Sequence, residues 1–199
     1  MANLITLIRF PLIFIYLLLI YFGGPVAALW CVPLVAFIFY LDTIDGFVAR
    51  ILGEVSLLGS ALDIATDRTL EIVLWVAFAD LKLIPVIIPL IAIVRGTTVD
   101  AIRAVGIGQG TAAFDQVKHP FNRFLVSSRF MRNFYGITKA VAFVFLTLSL
   151  WLKEAFLPQF PTILLVAEIL SWITITLTVV RGLPVLIEGY QLFRVKKTE

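Results

Sequence analysis

Long apolar runs recur along the chain, separated by short polar or Gly/Pro-bearing breaks. A membrane-spanning helix needs about 20 mostly apolar residues. The first run, Ile5 to Phe22, stops at Gly23-Gly24-Pro25, and the second, Val26 to Ile44, gives way to a polar stretch with Arg50 and Glu54. The third covers Leu57 to Phe78 although it carries Asp63, Asp67, Arg68 and Glu71. Asp80 and Lys82 mark a short turn before the fourth, Leu83 to Val105, and a polar, basic segment fills 106–132. The fifth runs from Phe134 to Leu152 and the sixth from Thr162 to Leu186. The pattern predicts an all-α, polytopic membrane protein with six transmembrane helices. With no internal repeat, low-complexity tract or linker in view, residues 1–199 are expected to form a single domain.

Composition sharpens this picture. Hydrophobic residues make up 61% of the chain, the mean hydropathy is +1.04, and only 15% of residues are charged, against about 25% in soluble domains. A water-soluble globule and a disordered chain are both excluded. The single Cys31 rules out an intramolecular disulfide, and the single His119 rules out the usual Cys/His zinc sites. The net charge of +3 is expected to reflect cytoplasmic lysines and arginines, not a nucleic-acid partner. Six spans put both termini on one side. If that side is cytoplasmic, only Lys82 and Lys153 lie at the opposite face, as the positive-inside rule demands. The first apolar run lacks a basic segment ahead of it, so it is expected to be a retained span and not a cleaved signal peptide. The basic, aromatic stretch 116–133 suits the lipid interface and a solvated loop equally well.

The chemistry is concentrated in carboxylates. An ionised Asp in a spanning helix costs roughly 2.5–3.5 kcal/mol on insertion scales, yet Asp42, Asp45, Asp63 and Asp67 fall within one short window. Asp42 and Asp45 share a helix face at i, i+3, and Asp63 and Asp67 share one at i, i+4. A reversal between Gly46 and Gly59 lets the two pairs face each other. Four adjacent carboxylates would repel unless cations neutralise them. Oxygen-only ligands select hard ions, Mg2+ or Mn2+. Two such ions about 3.5–4 Å apart would clamp a phosphoryl group during displacement. Gly46, Gly59 and Ala49 leave room beside them, and Arg50 can hold a phosphate.

The segment "DTIDGFVAR-x8-GSALDIATD" reads D-x-x-D-G-x-x-A-R-x8-G-x3-D-x3-D. It resembles the signature of the CDP-alcohol phosphotransferase (CDP-alcohol phosphatidyltransferase) family at every specified position. The resemblance implies transfer of a substituted phosphate, usually phosphatidyl from CDP-diacylglycerol, to an acceptor hydroxyl with release of CMP, in phospholipid biosynthesis. By motif position, Asp42, Asp45, Asp63 and Asp67 would be ligands of two divalent cations, and Asp67 would also be the general base. Gly46, Ala49, Arg50 and Gly59 would line the cytidine diphosphate site. The N-terminal "NLITLIR" is similar to the family's N-x-x-T-x-x-R stretch, which would put Asn3, Thr6 and Arg9 near the nucleotide.

The acceptor is read from cations, beginning with Arg95 and Arg181, which lie deep in the fourth and sixth helices where loop charge does not explain them. Arg95 and Arg103 are spaced to share a broad helix face, as are Arg132 and Lys139. Together they suit a phosphate on the acceptor. Arg95, Asp100 and Arg103, followed by "GITKA" with Gly136 and Lys139, resemble the phosphatidylglycerophosphate synthase branch, implying glycerol 3-phosphate. Inositol phosphate, serine and phosphatidylglycerol are the rival acceptors, and a divalent-cation transporter is the non-enzyme alternative. Glu71, Trp75 and Glu168 are further candidates for the pocket wall, with packing the stronger expectation for Trp75. The expected partners are CDP-diacylglycerol, a small phosphorylated alcohol, membrane lipid and a second copy of the chain in a homodimer.

Overall fold

The computed structural model describes residues 2–51, 57–108 and 128–195. These form six α-helices and no strand: α1 (Ala2–Phe22), α2 (Gly24–Ile51), α3 (Leu57–Asp80), α4 (Ile87–Gly108), α5 (Arg129–Glu154) and α6 (Phe160–Val195). Each expected apolar run contains a helix, although the fourth begins at Ile87 and not at Leu83, because residues 81–86 form the turn after the third helix and carry Pro85. Two further boundaries differ usefully from the hydropathy pattern. The second helix does not stop where its apolar run stops but continues to Ile51, so Asp45, Gly46, Ala49 and Arg50 join Asp42 on helical backbone. The sixth continues to Val195, past Pro184. Hydropathy marks where a helix meets lipid, whereas its backbone hydrogen bonds carry on into polar surroundings. Most of the 106–132 segment lies outside the described residues. Its last part begins α5, where Ser128 caps the helix by accepting from the Met131 amide at 3.1 Å.

The helices alternate in direction, and their contacts fix two ends. At one end lie the turns after α1, α3 and α5. Here Tyr21 donates to Asp80 at 2.9 Å, and Lys153 donates to the Leu81 carbonyl at 3.1 Å. Lys82 and Lys153, the two cations set apart by charge distribution, therefore lie together. Helices α3 and α5 close at this end with the same motif. Lys82 (φ 60°) and Phe156 (φ 53°) adopt the left-handed conformation. The amides of Leu83 and Leu157 then reach back to the carbonyls of Phe78 and Leu152 at 3.0 Å, the six-to-one bond of a Schellman cap.

Packing runs α1 on α2 and α3, α5 on α2 and α6, and α4 on α3 and α6. The interior near the Lys82 end is apolar. Trp75, Phe78 and Phe143 are fully buried, with the Trp75 and Phe143 rings 4.4 Å apart. Trp75 is thus a packing residue. Tyr16 of α1 and Thr147 of α5 share a buried 2.7 Å hydrogen bond. Charged and polar groups are also inside: Arg9, Thr6, Glu71 and Lys139 are buried, while Phe14, Trp30, Val94 and Ile137 are each more than 60% exposed. An apolar exterior around a polar interior is the arrangement a bilayer favours and water does not. Among the described residues, three helices are long and apolar enough to cross a membrane by themselves: Gly24–Asp42, Phe130–Glu154 and Phe160–Ile187. The charges of α3 and α4 keep those two from qualifying by composition. The protein is a helical membrane protein.

Candidate active site

The end of the bundle opposite Lys82 holds the carboxylates. Asp42 comes from the C-terminal half of α2, and Asp63 and Asp67 come from successive turns of α3. The three offer oxygens that all lie within 4.8 Å of one another. Their side chains are 29%, 46% and 41% exposed, so they face an opening and not the packed core. Asp45, Gly46, Ala49, Arg50 and Asn3 lie on described backbone, but their side chains fall outside the described residues. Gly59 sits in the first turn of α3.

Arg9 of α1 enters this cluster from below. Its NH1 is 2.7 Å from Asp42 Oδ1 and 3.6 Å from Asp63 Oδ1, and its NH2 donates to Asp67 Oδ1 at 2.8 Å. The guanidinium is fully buried. The family resemblance implied that Arg9 lies near the nucleotide; in the structure its guanidinium rests against the carboxylates, one turn after the buried Thr6. A planar cation with several donors suits this task because it can bridge three acceptors at once. Hard carboxylate oxygens from two facing helices fit a divalent cation, and no softer donor competes among the described residues.

Beside the cluster is a cavity of about 580 Å3 between α2, α3 and α5. Asp42 and Asp67 form one wall, and Arg132, Tyr135, Gly136 and Lys139 form another. Sequence spacing alone suggested the alignment of Arg132, Gly136 and Lys139 on one face of α5. Arg95 does not line this cavity: it lines an apolar recess of about 350 Å3 between α4 and α6, with Leu90, Val94 and Leu183, while its charge still acts on Tyr135, Glu71 and Asp100. There it crosses α6 at Gly182, where an added Cβ would come within 2.6 Å of Nε. The side chain of Arg103 lies outside the described residues.

A polar network behind the cavity was only partly foreseen. Glu71 accepts from Tyr135 at 2.9 Å and pairs with Lys139 and Arg68 at 3.5 and 3.4 Å. Arg68 grips both carboxylate oxygens of Asp100 on α4, at 2.9 and 3.2 Å. Thr178 of α6 donates to the Tyr135 hydroxyl at 3.2 Å, and Arg181 stacks 5.0 Å from the centre of its ring. The i, i+3 spacing of Arg68 and Glu71 and the i, i+4 spacing of Tyr135 and Lys139 were available signals. Their convergence was not, because it joins four helices.

The bundle places clustered carboxylates beside a cavity whose opposite side carries Arg132 and Lys139, an arrangement that suits an anionic ligand. The family model for CDP-alcohol phosphatidyltransferase matches residues 1–180, and the chain belongs to that family. No curated protein sequence matches it. Family membership carries the activity at its general level: transfer of a phosphatidyl group from a CDP-alcohol to an alcohol acceptor, with the help of divalent cations, in phospholipid synthesis.

Proposed function

We propose that this protein is a phosphatidylglycerophosphate synthase-like enzyme that transfers phosphatidyl from CDP-diacylglycerol to glycerol 3-phosphate. One observation carries the reading: Arg132 and Lys139 share a cavity with Asp42 and Asp67. An acceptor with both a hydroxyl and a phosphate could then reach a base and an anion site at once. The polar interior supports six spans in a single domain, and the clustering of Lys82 with Lys153 supports an orientation with the active site and both termini facing the cytoplasm. A homodimer belongs to the same reading.

Roles follow from position. Asp42, Asp45, Asp63 and Asp67 would hold two cations, Mg2+ or Mn2+, which when bound spread the charge of the donor diphosphate. Arg50, with Gly46, Ala49 and Gly59 leaving space, would receive the cytidine diphosphate, along with Asn3 and Thr6. Arg9 fixes one oxygen of Asp67 and so orients its carboxylate. Asp67 takes the proton of the acceptor hydroxyl as that oxygen attacks the phosphorus bearing the diacylglycerol. The phosphoanhydride bond breaks and CMP leaves. Arg132 and Lys139 hold the acceptor phosphate, and Arg95 and Arg103 add positive potential from α4.

The test is a panel of radiolabelled acceptors supplied to purified protein with CDP-diacylglycerol and Mg2+. Glycerol 3-phosphate is expected to give labelled lipid with stoichiometric CMP. Labelling from inositol phosphate, serine or phosphatidylglycerol alone would reassign the acceptor. Cation movement without CMP would make the protein a transporter.

A further inference from the structure

Glu71 is a carboxylate with three partners in a place where a membrane protein rarely keeps one. Its side chain is 5% exposed. Tyr135 and Lys139, one turn apart on α5, meet its two oxygens, and Arg68 links it through Asp100 to α4. Thr178 extends the chain of contacts to α6 through the Tyr135 hydroxyl. Glu71 itself does not line the cavity, whereas Tyr135 and Lys139 do.

The Lys139 ammonium lies between two sets of negative charge. Glu71 is behind it, and Asp42 and Asp67 are across the cavity. A lysine stem has four rotatable carbons and no fixed direction. Without the charge of Glu71, the buried ammonium would gain most by turning to the Asp cluster. There it would neutralise oxygens needed for cations and abandon the opposite wall. We propose that Glu71 is a positioning residue that keeps Lys139 off the aspartate cluster and on the acceptor side of the cavity. Through Lys139 it sets the affinity for the acceptor's phosphate and protects the cation site from an internal competitor. This rests on the phosphorylated-acceptor reading above.

The experiment is a double-mutant cycle of Glu71→Gln and Lys139→Met in purified, monodisperse protein. Acceptor KM, donor KM, kcat and Mn2+ binding by electron paramagnetic resonance are read in each variant. Glu71→Gln is expected to raise acceptor KM about tenfold or more, with donor KM little changed. It is also expected to weaken Mn2+ binding several-fold, and adding Lys139→Met should restore that binding, because the competitor is gone. In the Lys139→Met background, Glu71→Gln should add little to acceptor KM. Glu71→Asp, which keeps the charge, is expected to fall between wild type and Glu71→Gln, and it carries the test should the Gln variant fail to fold. If Lys139→Met raises acceptor KM while Glu71→Gln and Glu71→Asp leave it unchanged, or if the two effects simply add, the positioning role is overturned and the acceptor reading stands. If Lys139→Met leaves acceptor KM unchanged, the acceptor reading falls and this inference falls with it.

Discussion

Asp67 stands where two demands meet. It shares the triad of oxygens with Asp42 and Asp63, and it lines the cavity with Lys139. Loss of activity on mutation would not separate a cation ligand from a base. Asn keeps the size and one acceptor oxygen but can take no proton. Asp67→Asn is expected to lower CMP release by about 10²–10⁴-fold, the usual worth of a general base. Mg2+-dependent binding of a soluble CDP-alcohol should persist through the remaining carboxylates, as calorimetric titration can check. Near wild-type CMP release would remove Asp67 as the base, and complete loss of binding would make its structural role dominant. At this scale the sequence was most legible, because a short motif fixes its own spacing. Arg9 shows the limit: its motif position implied the nucleotide site, yet its contact with the carboxylates depended on α1 lying against both α2 and α3.

At the scale of elements, close approach of α4 and α6 depends on a missing side chain. Arg95 lies over Gly182, with Nε, Cγ and Cδ all within 3.3 Å of where a Cβ would stand. Because these are atoms near the middle of the arginine and not its free tip, they cannot simply move aside. Gly182→Val is therefore expected to lower thermal stability in detergent, in the range of about 1–3 kcal/mol typical of overpacking. Arg95→Ala combined with Gly182→Val should recover most of that loss. An unchanged melting temperature in the single variant would show that the helices do not meet as described. Helix existence was readable from hydropathy, but helix length was not. Helix α2 runs on to Ile51 because its backbone bonds are satisfied locally whether the side chains face lipid or a polar site. That extra length is what carries the signature residues on a rigid element.

For the whole molecule, orientation is the property that the charge distribution predicts most directly. Lys82 and Lys153 lie at one end of the bundle, and the aspartate cluster lies at the other. The one native cysteine, Cys31, is buried, so single cysteines can be placed without removing a reactive background. Cysteine in place of Lys82 or Lys153 is expected to react with an impermeant maleimide applied outside intact cells. Cysteine in place of Lys197 should react only after the membrane is opened. The reverse pattern would turn the protein over and move its active site to the opposite side.

The sequence by itself determined the helical, membrane-embedded character, because apolar run length and charge content answer directly to the bilayer. It also determined the aspartate signature, because carboxylates at i, i+3 and i, i+4 share a face of their own helix whatever that helix packs against. Tertiary structure decided which charges meet. It put Arg9 on Asp42, Asp63 and Asp67, gave Arg132 and Lys139 the same cavity while sending Arg95 to another recess, and made Glu71 the point where α3, α4, α5 and α6 are tied together. Periodicity assigns a residue to a face of its own helix, but the identity of the facing partner depends on helix order, crossing and depth, which no local pattern encodes.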